Sequence, residues 1–198
     1  SNPARRLPVA RATTRTRCNT GKTWTSTSMS SGISRAASVS GSDRRYEHRA
    51  SSCLTCPTPG ACCLDEHFVN VNISRLEAAA IRRVVDELPV DHRAEVMTRI
   101  EAAVKKYGLK ESELSKTYAC PLYEKGKGCL VHLSAKPVAC ITHACYENPT
   151  DLPPDEVQFE QELKIDRLND LAYGREHKQL LLPVAILAGS RAGKPASE

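Results

Sequence analysis

The cysteines limit what this chain can fold into more strongly than any other feature of its sequence. Eight of the nine cysteines fall into two groups. The first group contains Cys53, Cys56, Cys62 and Cys63. The second group contains Cys120, Cys129, Cys140 and Cys145. Two cysteines at C-x-x-C spacing can hold one ion, and a second group brought in by folding can complete a four-sulfur shell around zinc or iron. The pattern therefore predicts a metal site that uses both groups.

The composition is that of a globular protein with one domain. Of the 198 residues, 40% are hydrophobic and 26% are charged, which is typical of a folded soluble chain. Aromatic residues make up only 5%, so the core must depend on aliphatic side chains. A structural metal would compensate for a thin core.

The net charge differs between the first fifty residues and the rest of the chain. Residues 1–50 carry ten Lys and Arg against two acids, a net charge of +8, whereas residues 51–198 carry a net charge of −3. The first segment is rich in Ser, Thr and Arg, and it predicts a disordered basic tail; a targeting segment, or non-native sequence upstream of Met29, are the alternatives. We expect residues 51–175 to form a cysteine-cluster metal-binding domain and residues 176–198 to be a C-terminal extension. Cys18 lies in the tail and is expected to take no part in the site.

The expected location is the cytoplasm. The longest apolar run, residues 180–188, is too short for a membrane span and is interrupted by Pro183. No secretory signal is evident near the start, so reduced thiols are expected and a disulfide scaffold is disfavoured. Because the mildly acidic remainder has no basic face, nucleic acid is not an expected partner and neither is a membrane; the expected partner is a metal ion.

Three helices are predicted from apolar spacing and from their end signals. Ser74 and Glu77 form a capping box at the start of the first helix, which ends before Pro89. The second helix is predicted over 91–107, with Asp91 as its cap and Gly108 as its stop. A third is predicted over 155–173, and the last fifteen residues are expected to be frayed.

The rest of the predicted domain is loop and hairpin. Residues 118–123 and 129–133 flank a glycine-containing turn, which is typical of a β-hairpin. The predicted fold class is therefore mainly α, with a small irregular or β-hairpin cysteine-rich layer that binds the metal.

Cys62 and Cys63 are adjacent, and this restricts how the ligands can be divided. Neighbouring side chains diverge by roughly 100° in a helix and nearly 180° in a strand, so we expect the two to serve different places. Three arrangements fit the sequence: two four-cysteine sites, one multinuclear site, or one four-cysteine site with the other cysteines in structural roles. His67, His132 and His143 lie near cysteines and are expected to support the site rather than to bind the metal.

The arrangement resembles the YkgJ family, a zinc- or iron-chelating domain with eight cysteines in a C-x-x-C-x-x-C-C opening and a distal set. The opening matches Cys53-Leu54-Thr55-Cys56 and Cys62-Cys63, and the distal set matches Cys120-Pro121, Gly128-Cys129-Leu130-Val131, and Lys136-Pro137 with Cys140 and Cys145. The sequence departs from the family in two places. Residues 57–61 lengthen the opening loop, and Lys136 stands where arginine is usual before the proline.

The resemblance implies a metal- or iron–sulfur-binding protein with no established general activity. A structural metal is one interpretation, and an iron–sulfur redox or electron-transfer centre is the other. An enzyme related to methyl transfer is a further alternative, by analogy with the flagellin lysine methylase, which carries a related cysteine region. No Gly-rich loop between a strand and a helix offers a methyl-donor site, and this favours a binding protein over an enzyme.

Overall fold

We analysed a computed structural model, which describes residues 49–50, 56–144, 146–175 and 179–191. The remainder of the predicted basic tail lies outside these residues, as do Cys53 and Cys145. The helices are α1 (Ala61–Leu64), α2 (Arg75–Asp86), α3 (Val90–Tyr107), α4 (Val138–Thr142), α5 (Asp155–Tyr173) and α6 (Leu182–Arg191). The strands are β1 (Asn72–Ile73), β2 (Tyr123–Glu124), β3 (Gly128–Cys129) and β4 (Leu180–Leu181), and a 3-10 turn spans Pro149–Asp151.

The described part of the chain is mainly helical with two small antiparallel sheets, in agreement with the predicted mainly α fold with a small β part. β1 pairs with β4, with Asn72 opposite Leu181 and Ile73 opposite Leu180. β2 pairs with β3 in the predicted hairpin, which is shorter than the sequence indicated. Among the helices of the described residues, none combines the length and apolar character needed to cross a membrane.

α2 begins at the predicted capping box. The Ser74 hydroxyl accepts a hydrogen bond from the Glu77 N–H at 3.2 Å, and Glu77 Oε2 accepts one from the Ser74 N–H at 2.9 Å. The amide of Asn169, on α5, adds a third bond, because its oxygen accepts from the Leu76 N–H at 3.0 Å. Together these bonds satisfy N–H groups that a helix start leaves without intrahelical partners.

α3 ends as predicted but begins differently. Gly108 follows the helix with φ of 58°, the left-handed conformation that glycine adopts most readily. The prediction that Asp91 caps the helix is wrong: Pro89 is the N-cap residue, and Asp91 lies in the first helical turn. An acidic side chain in that turn still interacts favourably with the helix dipole.

The hydrophobic core is built around α6, which packs against both α2 and α3. Leu181, Leu182 and Ile186 are almost completely buried there. Residues 181–186 of the predicted C-terminal extension (176–198) therefore belong to the core, and three of them, 184–186, are among the last fifteen residues expected to be frayed. Pro183 does not prevent this, because it lies in the first turn of α6, where a helix does not need the missing N–H.

Candidate metal centre

α1 carries Cys62 and Cys63, and its start is fixed by a close contact with the β2–β3 hairpin. Gly60 precedes the helix with φ of 83°, and a Cβ at this position would overlap the ring of Tyr123. Only glycine allows both this conformation and this approach. The ring of Tyr123 thus holds the first cysteine group against the hairpin of the second group.

The sulfurs of Cys62 and Cys63 lie 3.9 Å apart, within hydrogen-bonding distance for two thiols. The expectation that the two adjacent side chains diverge is not met here. The side chains of α1 are turned towards each other, even though their backbone positions differ by one helical step.

Cys120 is joined directly to this pair through the backbone. Its N–H donates to the Cys63 carbonyl at 2.7 Å. Just before it, Tyr118 is fully buried; its hydroxyl donates to the Val71 carbonyl at 2.8 Å and its N–H to that of Val69 at 2.9 Å. These bonds place Cys120 beside α1 from a segment almost sixty residues later in the sequence.

Cys129 enters from the hairpin. It lies opposite Tyr123 in the β2–β3 pair, and the Tyr123 N–H is directed at the Cys120 carbonyl at 3.4 Å. Gly128 has φ of 93°, which lets the chain turn immediately before the cysteine. The hairpin therefore carries Cys129 towards the same region as Cys120.

Cys140 lies in the short helix α4, whose start is tied to α2. Glu77 Oε1 accepts a hydrogen bond from the Val138 N–H at 3.2 Å, while the other oxygen of this carboxylate serves the capping box. Burial raises the pKa of Cys140, and the positive charge of half-buried Lys136, which precedes the helix, partly opposes that rise.

Burial and neighbouring thiols raise the pKa values of three of the described cluster cysteines. The pKa of Cys63 is raised by the hydrogen bond with Cys62, by burial, and by the nearby Cys120 and Cys129. Burial raises the pKa of Cys120 to about 12, and Cys129 contributes to that rise. Burial also raises the pKa of Cys140, followed by the effects of Cys120 and Cys129. Without a cation these sulfurs hold their protons at neutral pH; metal binding would displace them.

An ion cluster fixes the hairpin to α3. Glu124 Oε1 lies 2.6 Å from His92 Nε2 and 2.7 Å from a terminal nitrogen of Arg99, and Lys127 lies 3.5 Å from the other oxygen. Burial alone would raise the pKa of Glu124, but the hydrogen bonds from His92 and Arg99 outweigh it and lower the pKa to about 2. Glu124 is next to Tyr123 in β2, so the cluster helps to hold the strand that faces Cys129.

The remaining cysteines of the predicted set are less fully described. Cys56 forms a disulfide bond, and its partner is none of the other five described cysteines, which are thiols. Cys53 and Cys145 fall outside the described residues. Ala50 and Tyr146 form an isolated antiparallel bridge, and they are three residues and one residue from Cys53 and Cys145 in the sequence.

The histidines differ in their surroundings. His132 is buried, whereas His67 and His143 are exposed. Across the described ranges, no three His, Cys, Asp or Glu side chains are already placed to hold one ion. The described cysteines would therefore have to move closer to one another to share an ion.

Sequence reasoning did not identify the residues that support the cluster. The sequence predicts a loop at Gly60 and a strand end at Tyr123. It does not predict the contact between them, because that contact joins positions 63 residues apart. Glu77 was recognised as a cap for α2, but not as the acceptor for Val138. Glycine before a Cys-Cys pair was the available signal for the first of these contacts.

Comparison with known proteins provides no family for this chain. No family model, curated protein or solved structure matches it. The resemblance to the YkgJ family stays a prediction based on the cysteine pattern.

Proposed function

We propose that this protein binds a thiophilic metal through its cysteine cluster, and that the metal is either zinc or the iron of an iron–sulfur centre. The observation that carries the proposal is the approach of Cys120 to the Cys62–Cys63 pair, fixed by the 2.7 Å backbone hydrogen bond to Cys63. Cys129 contributes to the raised pKa of Cys63, and Cys120 and Cys129 contribute, after burial, to the raised pKa of Cys140. The ligand set is proposed to include all eight clustered cysteines: Cys53, Cys56, Cys62, Cys63, Cys120, Cys129, Cys140 and Cys145.

The donor atoms fit such a metal. Thiolate sulfur is a soft ligand that favours zinc and iron–sulfur clusters over magnesium or calcium. The metal would supply the positive charge that stabilises several thiolates at neutral pH, and it would hold segments that are far apart in sequence. Cys56 can act as a ligand only after its disulfide is reduced, since the thiolate is the form that binds a metal.

A binding role is favoured over catalysis, and the YkgJ resemblance is part of this proposal. The residues around the thiols serve to place them: Gly60 and Tyr123 join α1 to the hairpin, and Glu77 fixes the start of α4. An iron–sulfur redox centre, including the methyl-transfer alternative, would use the same cysteines. Detection of labile sulfide distinguishes that alternative from zinc.

The test is competition between the reduced full chain and a zinc chelator, comparing the original protein with Cys120→Ser and Cys129→Ser. Mutation of residues that merely support a metal ligand typically costs about 10–100-fold in affinity. We expect each loss of a ligand to weaken zinc affinity by at least about 100-fold. Cys18→Ser is the matched control and should bind as the original protein does. Unchanged affinity in both cluster variants would overturn the proposal.

A further inference from the structure

α5 exposes apolar side chains on the side opposite its packed side. The buried residues of this helix are Gln161, Ile165 and Asn169. Its exposed large apolar residues are Phe159, Leu163 and Leu171. Because each residue turns the helix by about 100°, the exposed three lie opposite the buried three. Two of the three inward residues are polar, so packing within the domain does not account for the apolar outward side. We call this outward side the outer face of α5.

The outer face is also acidic. α5 contains six acidic and two basic residues, a net charge of −4. Glu156, Glu160 and Asp170 are exposed and lie on the same side of the helix as the exposed apolar residues. At its edge, burial raises the pKa of Asp166, and the nearby Asp170 and Glu162 raise it further. A segment that fits this face therefore combines positive charge with apolar side chains.

Residues 5–24 of the same chain have the complementary composition. They contain five Arg, one Lys and no acid, together with Leu7, Val9 and Trp24. A second copy of the outer face is a poorer match, because two faces with a net negative charge repel each other. Charge complementarity therefore favours residues 5–24 as the occupant.

The chain enters the described structure beside α5. Arg49 Nη1 lies 3.5 Å from Asp151 Oδ1, and Asp151 is four residues before the start of the helix. α5 has 19 residues and is about 28 Å long. The 26 residues between Lys22 and Arg49 can span up to about 85 Å. Residues 5–24 can therefore reach the outer face, and the tether keeps their effective concentration there high.

We propose that residues 5–24 dock on the outer face of α5 in the same chain. The arginine side chains pair with the exposed carboxylates, and the apolar side chains of the segment cover Phe159, Leu163 and Leu171. Burial of these exposed apolar side chains and the pairing of opposite charges both stabilise the contact. The inference does not depend on the proposed metal binding.

Trp24 is the one tryptophan of the chain, so acrylamide quenching of its fluorescence in the reduced full chain tests the docking. We expect slower quenching in the original protein than in a peptide of residues 5–24. Phe159→Ser and Leu171→Ser should each raise the ratio of undocked to docked chains by about tenfold, because each removes apolar surface that the segment covers. Phe68→Ser is the matched control, since Phe68 is 74% exposed and lies outside α5. It should quench as the original protein does.

The charge of the outer face is tested separately with Glu160→Gln, which keeps the proposal testable if circular dichroism shows that the serine variants do not fold. This variant should also quench faster than the original protein. Added salt should have the same effect, because at about 1 M it shortens the screening length to about 3 Å.

Three results would overturn the proposal. One is quenching in the original protein that is as fast as in the peptide. Another is a salt effect without any effect of the α5 variants, since the segment would then dock elsewhere. The third is docking that increases with protein concentration, because the contact would then form between copies of the chain.

Discussion

Glu77 and Val138 are joined by a hydrogen bond of 3.2 Å between a side-chain oxygen of the first and the N–H of the second. The bond connects the starts of α2 and α4, 61 residues apart in sequence. One carboxylate thus completes a capping box and fixes the short helix that carries Cys140. The position of Cys140 therefore depends on Glu77, the residue that completes the cap of α2.

Glu77→Ala should destabilise the protein more than Ser74→Ala does. The serine variant loses the two hydrogen bonds of the Ser74 hydroxyl, at a cost of about 1 kcal/mol. The glutamate variant loses the carboxylate bonds to the Ser74 N–H and hydroxyl and, in addition, the bond to Val138, and we expect about 2 kcal/mol in urea unfolding. Cys140 should react faster with an alkylating reagent in the Glu77→Ala variant only. Equal alkylation rates in the two variants would contradict a role for Glu77 in placing α4.

Gly60→Ala should disturb the contact between α1 and the hairpin. The added Cβ would overlap the Tyr123 ring, and φ of 83° is itself unfavourable for alanine. We expect a loss of about 2–4 kcal/mol in the free energy of unfolding. Gly126→Ala is the matched control, because its φ is 78° and a Cβ added there would have no neighbour within 4 Å. Equal losses in these two variants would show that strain alone, and not the Tyr123 contact, is responsible.

The ion cluster at Glu124 should make stability depend on pH. Because the folded-state pKa of about 2 lies below the ordinary value, the contribution is fully present above about pH 4.3 and declines as pH falls towards 2. Glu124→Gln should therefore cost about 2 kcal/mol at pH 7 and progressively less in acid. Urea unfolding of both proteins between pH 7 and pH 3 measures this difference. A constant difference across the range would argue against the ionised carboxylate.

Ile186→Ala should destabilise the domain strongly, since α6 is part of the core. Ile186 is completely buried, and removing most of such a side chain costs about 2–5 kcal/mol. Leu171→Ala removes a comparable side chain that is 84% exposed, and its effect should stay within about 0.5 kcal/mol. Thermal unfolding distinguishes the two variants. A small effect at Ile186 would mean that α6 is not required by the core.

The helices were predictable where local signals are strong. The capping box set the start of α2, Gly108 set the end of α3, and α5 spans the predicted residues up to Gly174. α6 was missed because its apolar run contains Pro183 and lacks a polar cap. Its place depends on burial between α2 and α3, which no local pattern encodes.

The cysteines could be identified from the sequence, but their geometry could not. Spacing placed Cys62 and Cys63 in the first cysteine group and Cys120 and Cys129 in the second, yet the approach of the two adjacent sulfurs depends on side-chain rotamers in a four-residue helix. The glycine at position 60 and the aromatic ring at position 123 meet only through folding. Such contacts between distant residues are what periodicity and spacing leave undetermined.

The most direct test of the metal-binding account is the metal and labile-sulfide content of the full chain, purified without oxygen and with its thiols reduced. The account predicts bound metal, either zinc without labile sulfide or iron with labile sulfide, and loss of that metal in the Cys120→Ser variant but not in Cys18→Ser. Iron with labile sulfide would identify the iron–sulfur form of the cluster, and zinc without labile sulfide would identify the zinc form. Protein that is folded, fully reduced and free of metal after incubation with zinc would contradict the account as a whole.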